Sequence, residues 1–115
     1  MKVQLNLCAR LQLRQPIYVE DILWLEGLGN YTMIYLEENR KVLTSKNIGL
    51  FEQALPIDVF WRVNRGLLLR REAISAWEIP RQCPLRLTLI NGQTFEVSRR
   101  KKTFVKRHLK TINPK

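Results

Sequence analysis

The sequence has few of the residues that build metal centres, disulfide frameworks or hydrolytic active sites. Its 115 residues include one histidine and two cysteines, Cys8 and Cys83, and two widely separated thiols make neither a disulfide framework nor a zinc site. The single histidine, His108, lies among cations and has no neighbour that would make it a general base. Metalloprotease, serine-hydrolase and phosphate-loop motifs are also missing. We therefore expect no enzyme, no cofactor and no metal.

Long apolar runs are missing as well. No stretch approaches the roughly 18–20 residues of a membrane span, and the N-terminal MKVQLNLCARLQ lacks the continuous apolar core of a signal peptide. Hydrophobic residues still make up 45% of the chain, which is enough to build a core. These features predict a single domain over residues 1–115, cytoplasmic and not membrane-spanning, with reduced thiols.

Acidic residues are scarce only in the C-terminal half. Residues 1–59 hold six Lys/Arg and seven Asp/Glu, whereas residues 60–115 hold fourteen and three, within a net charge of +10. The segment 97–112, VSRRKKTFVKRHLKTI, has no acid at all. Four cations follow Ser98, a candidate N-cap, and they have the wrong sign for a helix N-terminus unless an anion docks there. This uneven distribution of charge favours a surface that binds a polyanion.

Hydrophobic periodicity predicts a mainly β fold. Period-2 alternation predicts a strand over Val3–Leu13, and aromatic and β-branched residues predict Tyr31–Leu36 with a return strand at Lys41–Thr44. Further strands or short apolar runs are predicted at Ile17–Val19, Ile22–Leu25, Phe60–Val63, Leu67–Leu69, Ile74–Ile79 and Leu85–Leu89, with a return over Phe95–Val97. The strands follow one another too closely for helical crossovers, so we expect antiparallel sheets.

Two helices and three turns complete the expected fold. A short amphipathic helix is predicted over Ser45–Leu55, with Ser45 as its N-cap and Pro56 as its stop. A basic helix closes the chain, with Val105, Leu109 and Ile112 on one face. Turns are predicted at Gly27–Asn30 and Glu37–Arg40, and as a type I′ hairpin at Asn91-Gly92.

Three polar segments could project binding groups from one end of such sheets, where loops cluster. They are Gly27–Tyr31, Arg62–Gly66 and Ser98–Lys102. The stretches VEDILWLEGLGNYT (19–32), FWRVNRGLLLRREAI (60–74) and LINGQTFEVSRRKK (89–102), with the short helix ending at Leu55-Pro56, resemble in order and spacing the LytTR DNA-binding domain. That domain is the output module of LytR/AlgR-type bacterial transcription regulators, and the resemblance spans about residues 15–110.

The resemblance implies a fold and a way of binding. The expected fold is an elongated, mainly antiparallel multi-sheet domain with one short central helix and a basic C-terminal helix. Its loops, rather than a recognition helix, enter successive major grooves of double-stranded DNA. Departures from the family's usual His, Ser and Asn, at Asn64, Gly66 and Arg70, bear on the base preference more than on the fold.

The family pattern carries roles onto residues of this chain. E-x-x-x-N-Y over Glu26–Tyr31 places Asn30 in the first DNA-facing loop, F-x-R-V-x-R over Phe60–Arg65 supplies the second, and S-R-R at Ser98–Arg100 opens the third. The predicted DNA-binding residues are Asn30, Arg62, Asn64, Arg65, Ser98, Arg99, Arg100, Lys101 and Lys102.

Each contact has an alternative reading. Arg65 and Arg100 are expected to grip guanine edges, or else phosphate. Asn30 either reads adenine or adopts a left-handed turn conformation. Arg62 either contacts phosphate or pairs with Glu26 to brace the loops. Lys102, with the cations further along the helix, is expected to form a general electrostatic face.

The resemblance also bears on partners. The usual arrangement joins this domain to a receiver domain, and Met1 followed by Val3–Leu13 favours a natural start and a free-standing regulator without one. We expect two copies on repeated half-sites, because one small module buries limited surface, and the resemblance implies a regulatory membrane-protein partner.

Two other function classes stay open at the level of sequence. One is an RNA or single-stranded nucleic-acid binding small β-barrel module, which needs exposed aromatics among the cations. Trp24, Trp61 and Trp77 lie in apolar runs and are expected in the core, and core packing is also the default for Tyr31 and Tyr35. The other is a protein-interaction or membrane-surface module that uses the basic helix as an anchor, although its apolar face is narrow.

Overall fold

The computed structural model describes residues 17–78 and 85–109, which form two antiparallel sheets and two helices. A five-stranded sheet has the order β3-β2-β1-β5-β4, and a three-stranded sheet has the order β6-β7-β8. The strands are β1 (Ile22–Leu28), β2 (Tyr31–Leu36), β3 (Lys41–Thr44), β4 (Phe60–Asn64), β5 (Leu67–Arg70), β6 (Ile74–Glu78), β7 (Arg86–Leu89) and β8 (Thr94–Glu96). The helices are α1 (Ile48–Ala54) and α2 (Arg99–Leu109).

This architecture confirms the predicted mainly β, antiparallel fold. The strands predicted at Tyr31–Leu36 and Lys41–Thr44 are β2 and β3 with the same bounds. Every strand pairing among the described residues is antiparallel. The strand predicted over Val3–Leu13, and the positions Ile79 and Ile112, lie outside the described residues.

Strands β1, β4 and β5 of the five-stranded sheet are covered on both faces over much of their length, whereas β3 exposes Lys41 and Leu43. On one face α1 packs Ile48 and Phe51 against Leu25 of β1. On the other face Trp24 of β1 and Trp61 of β4 share a core with the second sheet and α2. A strand covered on both sides needs apolar residues at successive positions, as in the ILWL run at the start of β1.

The predicted N-cap of α1, Ser45, is wrong by two residues. The helix begins at Ile48, and Asn47 is its N-cap: the side-chain oxygen of Asn47 accepts the N–H of Leu50 at 3.1 Å. The chain from Thr44 to Lys46 is held beside β2 instead, because the hydroxyl of Thr32 donates to the Lys46 carbonyl at 2.7 Å. The end before Pro56 agrees with the prediction.

The first turn is shorter than predicted. Gly27 and Leu28 belong to β1, and only Gly29 and Asn30 form the turn to β2. Gly29 has a φ of +68°, whereas Asn30 has no positive φ, so the left-handed reading of Asn30 is wrong. A glycine at the first central position is typical of a type II′ hairpin.

The type I′ prediction at Asn91-Gly92 is also wrong. Only Gly92 has a positive φ, of 93°. The N–H of Leu89 donates to the Gln93 carbonyl at 2.8 Å and the N–H of Gly92 to the Leu89 carbonyl at 2.9 Å. This closes a three-residue loop whose last residue is left-handed, another common hairpin geometry. Consecutive positive φ values occur instead at Glu38 and Asn39.

Helix α2 packs along β4 through its apolar side. Val105 and Leu109 are buried, as the spacing predicted. The rings of Phe104 and His108 lie edge-on to Trp61, with centroids 6.2 and 5.8 Å away. His108 is therefore half-buried against an indole rather than free on the basic surface.

Candidate nucleic-acid interface

The three polar segments identified in the sequence meet at one end of the sheets. The N–H of Gly27 donates to the Gly66 carbonyl at 2.8 Å, which joins the first segment to the second. The N–H of Ser98 donates to the Val63 carbonyl at 2.9 Å, which joins the second to the third. The strand register places the turns at residues 37–40 and 90–93 at the opposite end. The structure thus brings together segments that are far apart in the sequence.

Gly27 allows the close approach of α1 to the first segment. A Cβ atom at this position would lie 3.1 Å from Cγ2 of Ile48 and 3.7 Å from Cα of Gly66. The first distance is tighter than normal packing, so the Ile48 side chain would have to shift by a few tenths of an ångström to admit a side chain here. Gly27, which the sequence places in the first turn, is thus a strand residue in tight contact with α1.

Two adjoining clefts run across this end. The first, which we call the basic groove, is lined by Glu52, Arg62, Asn64, Arg65, Ser98, Arg100 and Lys101. The second lies between the first turn and the start of α1, and it shares Arg62 and Arg65 with the basic groove. The two clefts therefore form one continuous surface from the Gly29–Asn30 turn to the first turn of α2.

Arg62 is a brace within this surface. Its Nη1 lies 2.5 Å from Oε1 of Glu52, and its Nε donates to the carbonyls of Asn64 at 3.1 Å and Arg65 at 3.2 Å. Nη2 also donates to the Arg65 carbonyl. Its side chain is only 19% exposed. These contacts hold the β4–β5 turn, and the acidic partner of Arg62 is Glu52 rather than the predicted Glu26.

The predicted partner of Arg62, Glu26, is engaged elsewhere. Oε1 of Glu26 accepts the hydroxyl of Tyr35 at 3.1 Å, and the Tyr35 ring stacks on Trp24 with centroids 4.3 Å apart. Burial raises the pKa of Tyr35 above its ordinary value, and the bond and charge of Glu26 raise it further. Glu26 thus supports the packing of β1 against β2.

Asn64 ties the second segment to the second sheet. Its Nδ2 donates to the Glu96 carbonyl at 3.0 Å, and its Oδ1 accepts the N–H of Gly66 at 2.9 Å. Both ends of the amide are therefore used within the protein. The two hydrogen bonds of Asn64 connect the β4–β5 turn to the end of β8, and they help to set the distance between the loops that carry Arg65 and Arg100.

Replacing Asn64 with aspartate should lower the free energy of unfolding by about 1 kcal/mol, as expected for the loss of one hydrogen bond. The carboxylate keeps the acceptor for Gly66 but faces the Glu96 carbonyl with an oxygen. Urea unfolding measures the change. Asn30→Asp is the matched control, because Asn30 is exposed in its turn. Equal effects of the two substitutions would contradict the tie.

The remaining cations are available for an external anion. Arg65, Arg99 and Arg100 are exposed, and Lys101 and Lys102 are half-buried. None of these five side chains has an ion pair with an acid within residues 17–78 and 85–109. Arg65, Arg100 and Lys101 line the basic groove. The structure therefore concentrates uncompensated positive charge on one surface.

Arg70 does not add to that charge. Its guanidinium donates to the Val19 carbonyl and lies 5.8 Å from the centre of the Phe60 ring. The residue is half-buried at the opposite end of the sheets. The extra arginine thus belongs to the packing of the N-terminal part of the described chain.

Aromatic side chains do not form a platform in the groove. Trp24 and Trp61 are buried as predicted, and Trp77 is half-buried against the same core. Tyr31 is 51% exposed beside Asn30, so its predicted place in the core is wrong. In the part of the chain that the structure describes, Tyr31 is the one exposed aromatic residue.

Glu52 and Asn47 line the clefts, and sequence reasoning missed both. Their proximity depends on α1 packing across the end of the sheet, which no local pattern specifies. Within the described ranges, no three His, Cys, Asp or Glu residues group as metal ligands. Among the same residues no helix is both long and apolar enough to cross a bilayer.

Comparison with known proteins gives one consistent result. The sequence profile of the LytTr DNA-binding domain matches residues 15–110. A solved LytTr DNA-binding domain from Bacillus cereus superposes with a TM-score of 0.74 and 23% sequence identity, covering 83% of this chain and 86% of that chain. The structural likeness shows a shared fold. No curated protein sequence matches.

Proposed function

This chain belongs to the LytTR DNA-binding domain family, and we propose that it is a sequence-specific transcription regulator that inserts its loops into the major groove of double-stranded DNA. The observation that carries the proposal is the basic groove. It gathers Arg65, Arg100 and Lys101 from two distant segments, none of them paired with an acid in the described chain. Such a surface suits a polyanion whose base edges also accept hydrogen bonds.

Loops rather than α2 are proposed to enter the major groove of the DNA. The apolar side of α2 is packed on β4 and the second sheet, so only its first turn reaches the binding end. A recognition helix needs a free face that lies along the major groove. The Arg65–Gly66 turn and the start of α2 instead project as separate points, joined through the Val63–Ser98 bond.

The predicted DNA-binding residues are proposed to have different roles, according to whether their side chains are exposed or already bonded within the protein. Arg65 and Arg100 are exposed and are proposed to reach guanine O6 and N7. Arg99, Lys101 and Lys102 are proposed to contact phosphate, together with the exposed cations of α2. Asn30 is proposed to touch DNA at the far end of the surface, while Ser98 begins the third loop. Arg62 and Asn64 act by positioning.

Two copies on repeated half-sites are proposed, because a single module of this size buries limited surface. A cytoplasmic location is proposed as well, since the proposed ligand is chromosomal DNA. The regulatory membrane-protein partner stays a prediction of the family resemblance.

Selection from a random duplex library, followed by a salt titration on selected and random duplexes, tests the proposal. We expect an enriched motif, and log K should fall linearly with log salt by about 0.9 per phosphate contacted. The selected duplex should keep its advantage at every salt concentration. A steep salt dependence with no preferred sequence would contradict specific recognition, and tighter binding of single-stranded DNA or RNA would favour the alternative module.

A further inference from the structure

One acidic residue lies inside the basic groove. Glu52 of α1 lines it beside Arg65, Arg100 and Lys101, and no other acid in the described chain does so. Its side chain is 41% exposed, and its Oε1 bonds Nη1 of Arg62. A carboxylate therefore faces the surface where the proposed function places DNA.

Such a carboxylate opposes binding to phosphate. A negative charge among the phosphate-binding cations repels the DNA backbone. The ion pair with Arg62 accounts for only part of its presence, because the carboxylate is 41% exposed and water screens its charge. Arg62 is also held by two backbone carbonyls independently of Glu52. A role toward the ligand accounts better for a charge at this place.

The chemistry of base edges offers that role. An ionised carboxylate can only accept hydrogen bonds. In the major groove, the donors are the exocyclic amino groups, cytosine N4 and adenine N6. Phosphates, guanine O6 and N7, and thymine O4 present acceptors there and are disfavoured by a carboxylate. Glu52 thus complements the two arginines, which favour acceptors.

We propose that Glu52 is a specificity-determining residue. In the basic groove its carboxylate accepts a hydrogen bond from a base edge that carries an exocyclic amino group, and it repels phosphate. The inference rests on the proposed function, since it requires that DNA occupies this groove. Arg65 and Arg100 then recognise acceptor edges on neighbouring base pairs, and Arg62 holds the Glu52 carboxylate in place.

The test compares the wild-type protein with Glu52→Ala and a matched control, Glu72→Ala. Glu72 is an exposed acid at the opposite end of the sheets, so its removal changes the net charge equally. Each protein is put through duplex selection and then titrated with duplexes that vary one base pair. Thermal unfolding checks that the variants fold, and Glu52→Gln serves as a second, isosteric variant.

Glu52→Ala should lose the preference at one base pair by about 5- to 150-fold, the equivalent of roughly 1–3 kcal/mol. Its affinity for random duplex should stay the same or rise. Glu72→Ala should keep the wild-type preference. Replacing cytosine by 2-pyrimidinone, or adenine by purine, removes the amino group alone and identifies which base is read; the wild type should lose affinity and Glu52→Ala should not.

The outcomes separate the inference from the proposed function. A wild-type protein with no base preference overturns both. A clear wild-type preference that Glu52→Ala keeps in full overturns the inference and leaves the proposed function intact. A uniform loss on every duplex with the preference unchanged also overturns it, because that pattern means Glu52 only supports Arg62.

Discussion

Replacing Arg65 with alanine should lower the affinity for the preferred duplex by about 5- to 150-fold and relax the preference at one base pair, since a bidentate arginine–guanine contact provides roughly 1–3 kcal/mol of discrimination. Arg65 lies where the two clefts join, and its side chain is exposed. Its backbone carbonyl is held by Arg62, so the turn should keep its shape in the variant. Fluorescence anisotropy with duplexes that vary one base pair measures both effects.

Lys106→Ala is the control for Arg65→Ala. Lys106 is exposed on α2, away from the residues that line the basic groove. Its loss should weaken all duplexes alike and reduce the salt slope by about one, as expected for a phosphate contact. If both variants weaken every duplex by the same factor, Arg65 contacts phosphate and does not read a base.

Trp61→Ala should lower the free energy of unfolding by about 3–5 kcal/mol, the usual cost of removing a large buried aromatic side chain. Trp61 is 1% exposed and belongs to the core that joins both sheets to α2. Phe104 and His108 of α2 pack against its indole. The cavity would lie at the contact between β4 and α2, and close-packed surroundings relax into such a space only partially. Urea unfolding gives the change.

Trp77→Ala is the comparison for Trp61. Trp77 is half-buried at the border of the same core, so its loss should cost clearly less. For Trp61→Ala we also expect loss of DNA binding at temperatures at which the variant is still folded. The reason is that Trp61 packs against α2, and α2 carries Arg99–Lys102. Equal destabilisation by the two substitutions would contradict the central position given to Trp61.

Local chemistry explains which elements the sequence predicts well. β2 and β3 are recognisable because aromatic and β-branched residues fill them and a polar turn separates them. The start of α1 is not recognisable from the sequence, because Ser45 and Asn47 are both good N-caps. The choice between them depends on the hydrogen bond from Thr32 to the Lys46 carbonyl. The Asn91-Gly92 turn differs for a similar reason: loop length, set by strand register, selects the turn type.

The same distinction applies to the binding surface. The cations of the third segment are predictable, because charge is a property of each residue and SRRKK is contiguous. The roles of Arg62 and Asn64 are not predictable in this way. Arg62 bonds Glu52, which is 10 residues away in the chain, and Asn64 bonds the Glu96 carbonyl, which is 32 residues away. Family resemblance supplied both residues as DNA contacts, and in the structure both side chains form bonds within the protein.

The bonds from Gly27 to Gly66 and from Val63 to Ser98 join main-chain atoms only. The spacing of the three loops is therefore set by the main chain together with the amide of Asn64, and not by the arginines that project from the loops. We expect a substitution at position 65 or 100 to alter the proposed base contacts without changing the interval between the loops.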